Sequence, residues 1–364
     1  MTDESHPTTA EALQEAVTDA VASGARLRVV GGGTWLDAGR PVIAARRIST
    51  QALRGVVEYV PGDLVITVRA GTTLAELAEI TAAHGQWLAL DPYTSPPGLT
   101  RATIGATIAT ASHGPLSLGY GRARDLVLGL SFVTGTGMPV RAGGRVVKNV
   151  AGFDLVRLIT GAWGTLGIIT EVSLRLHARP AVDETFAVAI DLPDAADARD
   201  FALARLVERL NSAPLLATTN SLAALVLLTH GASGSLRESV ALPHAPVLLL
   251  ARLVGNRARV EAQRLALSTL GDVTTVDTAS WHAIRSLERG NTTMRVTDAP
   301  QRTAGTLRRV STWMEHAGAA PHSIIVDPMR GALRVACDLP ASSERTDVSL
   351  PARTIAERLP SPLW

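Results

Sequence analysis

Cysteine, lysine and surplus charge are all scarce in this 364-residue chain, and each scarcity removes a class of function. Its single cysteine, Cys337, excludes an internal disulfide, a Cys-rich zinc site and an iron–sulfur cluster ligated by this chain alone. Thirty-five Lys plus Arg against 33 Asp plus Glu leave a formal charge of +2, which gives no electrostatic reason to expect a nucleic-acid or membrane-surface protein. Lys148 is the only lysine; every other cationic side chain of that pair is Arg. No apolar run reaches the roughly 18 residues needed to span a bilayer. The longest candidates, Leu222–Leu228 and Pro246–Leu250, have the length of buried strands. The start, Met1 to Pro7, has neither the basic nor the apolar stretch of a signal peptide, so the expected location is cytoplasmic.

What the chain does contain is a hydrophobic fraction of 46%, enough for a real core and too much for a disordered chain. The length suits two domains, or one large domain with a cap. Arg179-Pro180, with Pro193 close behind, marks the expected boundary, because proline breaks a regular element and biases its predecessor to extended geometry. Thr8 and Glu11 have the spacing of a capping box ahead of an apolar helical stripe, Leu13 to Val21. Thr73 and Glu76 predict a second box for a helix over Leu74–His84. Strands are expected at Arg26–Val30, Val56–Val60, Leu64–Arg69, Trp87–Leu90 and Leu126–Val133. A half-buried strand is expected at Ile168–Leu176, from its alternation. Beyond the boundary, strands near Phe186–Ile190, Val247–Val254, Ile324–Val326 and Leu333–Cys337 alternate with helices, which predicts an α+β sheet layered by helices.

Familiar nucleotide motifs are missing. There is no Gly-x-x-x-x-Gly-Lys-Ser/Thr, and Gly135-Thr136-Gly137 lacks the third glycine of a dinucleotide fingerprint. His-Glu-x-x-His and Gly-x-Ser-x-Gly are also absent. Instead, a strand runs into Gly31-Gly32-Gly33-Thr34. Successive glycines can turn several N–H groups inward as an anion-binding nest, and a pyrophosphate is its natural occupant; a tight turn would use the same residues. A helix of Ala, Thr and Gly over Thr103–Ala111 allows close backbone approach, to a cofactor ring or to a neighbouring sheet. Gly161-Ala162-Trp163-Gly164-Thr165-Leu166-Gly167 repeats the theme ahead of a strand.

These residues carry a resemblance. Arg28 to Thr34, Val68 to Leu77 and Thr103 to Ala106 fall in the order of the FAD-binding domain of the p-cresol methylhydroxylase/vanillyl-alcohol oxidase superfamily (PCMH/VAO-type). Gly144 to Leu155, continuing through Gly164 to Val172, resembles the smaller FAD-binding subunit of bacterial glycolate oxidases, the GlcE-like type. The resemblance implies a two-lobed PCMH-type FAD-binding domain over residues 1–180, followed by a smaller α+β cap over 181–364. It places Gly31, Gly32, Gly33 and Thr34 at the FAD pyrophosphate, and Pro92, Thr103, Gly105, Ala106, Ser112 and Gly114 along the flavin and its ribityl–phosphate arm. Gly164, Gly167 and Ile168 would approach the pyrimidine edge, and His113 is the imidazole nearest the flavin side. Thr34 stands after the glycines where covalent members often carry a His, so the implied FAD is non-covalent.

Oxidising a 2-hydroxy acid needs a cation for the carboxylate, a base at the hydroxyl and a flavin to take the hydride. By resemblance, Arg285 after Trp281 is the candidate cation and His282 the candidate base, with Arg295 as a second cation; an exposed helix Arg would look the same in sequence. The implied function is a flavoprotein subunit of a glycolate (D-2-hydroxy-acid) dehydrogenase complex, partnered by a larger FAD subunit and an iron–sulfur subunit. The alternative is a non-catalytic FAD-binding subunit that stabilises the complex, and a stand-alone flavin oxidase is a third reading. Trp163 replaces the Glu that the larger subunits carry at this place, which favours the smaller subunit.

Overall fold

The computed structural model describes residues 3–36, 38, 42–93, 100–144, 153–193, 196–212, 221–237, 240–287 and 290–340. Lys148 and most of the glycolate-oxidase-like run 144–155 lie outside them. The chain divides into two compact units, Met1–Arg179 and Pro180–Trp364. They are nearly equal in length, so the second is not the smaller part.

The first unit holds two main sheets. A small parallel one orders the strands Asp3–Ser5, Arg46–Ser49 and Leu27–Val30. Helix Ala10–Ala22 buries Leu13, Val17 and Ala20. Its N-cap is Thr9 rather than Thr8: Thr9 is extended (φ −129°, ψ 162°) and its hydroxyl accepts from Ala12 N at 3.1 Å. Two adjacent threonines offered the same cap chemistry, and the structure takes the second. Leu13 and Val17 join Ile48, Leu53, Val133 and Ile168 in one apolar cluster.

The larger sheet is antiparallel, in the order Val56–Val60, Val65–Arg69, Gly167–Arg175, Val127–Thr134, Pro139–Gly143. Ile66, Val68, Leu130, Val172 and Leu174 face a core that also takes Leu77, Ile104 and Ile108 from two helices. The alternation at 168–176 reads as half-buried, yet Thr170 and Ser173 are buried as well. Ser173 Oγ pairs with Thr67 Oγ1 at 2.9 Å, which meets the requirement that a buried hydroxyl find a partner. The capping box at Leu74–Ala82 forms as expected: Glu76 N donates to Thr73 Oγ1 at 3.1 Å, and Thr73 N to Glu76 Oε2 at 2.9 Å. The strand expected at Trp87–Leu90 shrinks to Gln86–Trp87, paired with His177–Ala178.

The second unit is a seven-stranded antiparallel sheet: Asp272–Val276, Val182–Ile190, Val247–Gly255, Leu222–Leu228, Ala320–Asp327, Ala332–Asp338, Thr292–Thr297. Its first four strands form two interleaved split βαβ units, the ferredoxin-like arrangement. Three strands of unbroken apolar sequence, Phe186–Ile190, Leu222–Leu228 and Val247–Leu250, sit at its centre, buried on both faces. A short helix, Ser280–Arg285, anchors to this sheet through Trp281, whose indole Nε1 donates to the fully buried Thr185 Oγ1 at 2.8 Å. Trp281→Phe leaves that hydroxyl without its donor and should cost about 2 kcal/mol, read as a lowered urea midpoint. An unchanged midpoint would mean the hydroxyl finds another partner.

Candidate functional site

Three segments of the first unit converge. Strand Leu27–Val30 ends in the glycine loop, helix Ile104–Ala109 starts beneath it, and the 161–167 loop closes on that helix's far end. A Cβ at Gly31 would lie 2.6 Å from Thr103 Oγ1 and 2.9 Å from Ala106 Cβ, and one at Gly32 would lie 1.6 Å from the carbonyl oxygen of Arg101. Gly33 has φ +76°, a left-handed conformation natural to glycine. The loop is held from outside by its carbonyls: Gln51 Nε2 donates to Gly31 O at 2.9 Å, and Arg28 Nη2 to Leu36 O. Its own donors remain available, since among the described residues none accepts from the N–H groups of Gly31, Gly32, Gly33 or Thr34. The exposed Arg101 brings Nη2 within 3.7 Å of a Cβ placed on Gly33. Four N–H groups that donate to no described residue, with a guanidinium beside them, are donors suited to a negatively charged diphosphate. Arg101 belongs to no motif in the sequence; its place beside the glycine loop is set by a contact distant in sequence.

The other expected residues separate into two groups. Thr103 caps its helix, its Oγ1 accepting from Ala106 N at 3.4 Å, and lies with Ala106 against Gly31. Gly105, by contrast, is a packing glycine: its N–H donates to Ala70 O at 2.8 Å, and a Cβ there would lie 2.6 Å from Ala70 Cβ. Gly114 lies against the Asp91 carbonyl, where a Cβ would be 1.8 Å from oxygen. Asp91 is itself buried, and both its carboxylate oxygens accept from Leu116 N at 3.1 Å. Pro92 is buried next in chain, and Ser112 Oγ donates to Tyr93 O at 3.4 Å. His113 Nδ1 lies 3.0 Å from Ala111 O. Gly167 packs on Phe132, with a Cβ 2.8 Å from the ring, and Ile168 is buried in the cluster beneath helix Ala10–Ala22.

The 161–167 loop is tied down by Gly161 N to Ile108 O at 3.1 Å and Trp163 N to Ala109 O at 2.8 Å. Trp163 and Gly164 both have positive φ, 55° and 73°. The Trp163 indole is 51% exposed and meets Trp35 edge-on, ring centroids 6.0 Å apart, so this loop touches the end of the glycine loop.

His282 and Arg285 lie one turn apart on helix Ser280–Arg285 of the second unit. His282 is exposed on that helix, yet partial burial, then the Arg285 charge, push its imidazole below the usual histidine range. Arg285 Nε donates to Trp281 O at 3.1 Å, which fixes the guanidinium at the helix end. Among the described residues, no group of His, Cys, Asp and Glu could hold a metal ion, and no helix is long and apolar enough to cross a membrane.

Residues 5–143 match the FAD binding domain family, and FAD is the cofactor that this match assigns. The glycolate oxidase subunit GlcE of Escherichia coli is 37% identical over 185 residues, covering 51% of this chain and 52% of that protein. A D-lactate dehydrogenase of Archaeoglobus fulgidus is 35% identical over 169 residues, 46% of this chain and 36% of that one. The chain thus spans about half or less of the length of these relatives. Among solved structures, p-cresol methylhydroxylase with substrate bound superposes with a TM-score of 0.70 at 16% identity, covering 97% of this chain and 77% of that one. An alkyldihydroxyacetonephosphate synthase gives 0.67 at 17%, covering 97% and 71%.

Proposed function

We propose that this chain, whose fold is that of the p-cresol methylhydroxylase-type FAD-binding proteins, holds FAD non-covalently and serves as a flavoprotein subunit of a 2-hydroxy-acid oxidoreductase of the glycolate oxidase type. The observation that carries the reading is the set of available N–H groups at Gly31 to Thr34 with Arg101 beside them. Those N–H groups hold the diphosphate, Arg101 offsets its charge, and Thr103 and Ala106 set the depth of the cradle against Gly31. The 161–167 loop, pinned to helix Ile104–Ala109, holds Trp163 edge-on against Trp35 at the end of the glycine loop. When bound, FAD supplies an acceptor for the hydride leaving the hydroxy-acid carbon. Arg285, fixed by its bond to Trp281 O, serves as the cation for the substrate carboxylate. His282, kept neutral near pH 7 by its depressed pKa, is able to take the hydroxyl proton. Its partners would be a larger FAD subunit and an iron–sulfur subunit, whose cluster this chain, with one cysteine, cannot hold itself. The glycolate oxidase relative, named as a subunit, supports this assembly. A half-exposed indole at position 163 supports the second reading, a flavin-binding subunit that stabilises the complex without turning over substrate.

The test is the visible spectrum of the purified chain before and after anaerobic glycolate. A flavin band that bleaches supports a working site, and an unchanged band supports the stabilising role. A colourless protein overturns the cofactor assignment for the isolated chain. Acid precipitation should leave all the flavin in the supernatant; yellow pelleted protein would mean a covalent link.

A further inference from the structure

The five-stranded sheet of the first unit turns Ile66, Val68, Leu130, Val172 and Leu174 to the core and a polar set to its other face. Paired residues of neighbouring strands share a face, so that polar set runs across four strands in two transverse rows. In one row Arg69, Glu171, Ser131 and Arg141 are successive cross-strand partners. In the other, Thr67, Ser173, Gly129 and Gly143 follow one another in the same way. Two neighbouring glycines leave half of this second row without side chains. The result is a shallow notch of about 240 Å³, counting the solvent at its mouth. Gly143 has φ +69°, and a Cβ there would lie 2.4 Å from Leu128 O. At one end of the notch the buried Thr67 Oγ1 and Ser173 Oγ lie 2.9 Å apart. Such a pair shares a single hydrogen, which leaves one O–H to donate elsewhere. The walls carry charge of both signs. Half-buried Glu171 takes only a long 3.5 Å contact from Ser131 Oγ, and exposed Arg141 has no ion pair or hydrogen bond among the described residues. Arg69 acts instead on Glu11, whose carboxyl is lowered by its own backbone N–H, by the Thr9 hydroxyl and then by this guanidinium. Glu171 and Arg141 stand two strand spacings apart, about 10 Å between backbones, and do not close on each other.

We propose that this notch binds a small zwitterion, a free α-amino acid with little or no side chain. The Arg141 fork takes the carboxylate, and Glu171 takes the ammonium. The Ser131 hydroxyl between them, with the Thr67–Ser173 pair, supplies donors for the carboxylate lone pairs left over. A ligand with both charges satisfies both walls at once, whereas a lone anion meets Glu171 and a lone cation meets Arg141. The shallow floor leaves room for few atoms beyond the two charged groups. The site stands on this sheet's own residues and is independent of the flavin reading.

The experiment titrates the full chain with glycine in a calorimeter. Glycolate and methylamine, each carrying one of glycine's two charged groups, are the controls at matched ionic strength. Glycine should bind saturably, one per chain, and raise the thermal unfolding midpoint. Arg141→Gln and Glu171→Gln should each weaken that binding at least tenfold. Arg141 is exposed, so its variant keeps the fold even if Glu171→Gln does not, and its midpoint without ligand should match the wild type. No saturable heat from glycine, or glycine binding untouched by Arg141→Gln, overturns the proposal. So does methylamine binding as tightly as glycine, or glycolate binding that Arg141→Gln weakens as much as glycine binding. Flavin content is scored in the same samples: a colourless chain that binds glycine fails the flavin reading alone, and a yellow chain that does not bind glycine fails this site alone.

Discussion

Gly32→Ala should strip the protein of flavin. A methyl at this position would sit 1.6 Å from the Arg101 carbonyl oxygen, less than half an ordinary contact, and the obstacle is backbone, so no side-chain rotation relieves it. Either the glycine loop or the Arg101–Thr103 segment must move. Both carry the proposed diphosphate cradle, so the displacement would separate the N–H groups from the guanidinium. The expected readout is at least a tenfold fall in bound FAD per chain, together with a destabilisation of about 2–4 kcal/mol, typical of severe overpacking. Gly62→Ala is the control: a Cβ there meets nothing within 4 Å. It should leave both FAD content and the unfolding midpoint as they are. If Gly32→Ala keeps its full flavin complement, the loop does not hold the diphosphate.

Asp327→Asn should stabilise the protein, and only at neutral and alkaline pH. Burial, opposed by Arg330, raises the carboxyl from 3.8 to about 6. The folded chain therefore holds this proton more tightly than the unfolded chain does. Well below pH 3.8 both states are protonated and the penalty is absent. As pH rises from about 4 to 6 the unfolded state ionises first, so stability falls, and above that range the loss is complete. Asparagine keeps an oxygen for Arg330 N and has no charge to bury. The variant should match the wild type at pH 3 and exceed it at pH 8 by on the order of 2 kcal/mol, measured from urea midpoints. A difference that does not change with pH would show that ionisation of Asp327 is not what costs stability.

The sequence carried most of the strands and helices of the first unit because its caps and turns are chemically explicit. Thr73 with Glu76, and Pro61-Gly62-Asp63 between two strands, fix their elements locally. Short polar strands escaped: Asp3–Ser5, Arg46–Ser49 and Asp272–Val276 have no alternation of their own and exist because a neighbour's backbone is already in place. The site was legible in outline through its glycines, but glycine alone does not say what presses on it. Gly31 and Gly32 face the Arg101–Ala106 segment, whereas Gly105, Gly114 and Gly167 make room for Ala70, Asp91 and Phe132. That distinction is set by contacts distant in sequence, as is the place of Arg101.

The edge-on meeting of Trp35 and Trp163 gives the protein an optical probe of its own. Two of its six tryptophans stand at the rim of the glycine loop, one of them half in solvent. Their ultraviolet emission therefore depends on how that rim is arranged, while Trp281, sealed in the second unit, emits from a constant setting. A titration followed through the tryptophan emission would register events at the loop without any added label, and the difference between the wild type and Trp163→Phe would isolate the contribution of the loop rim.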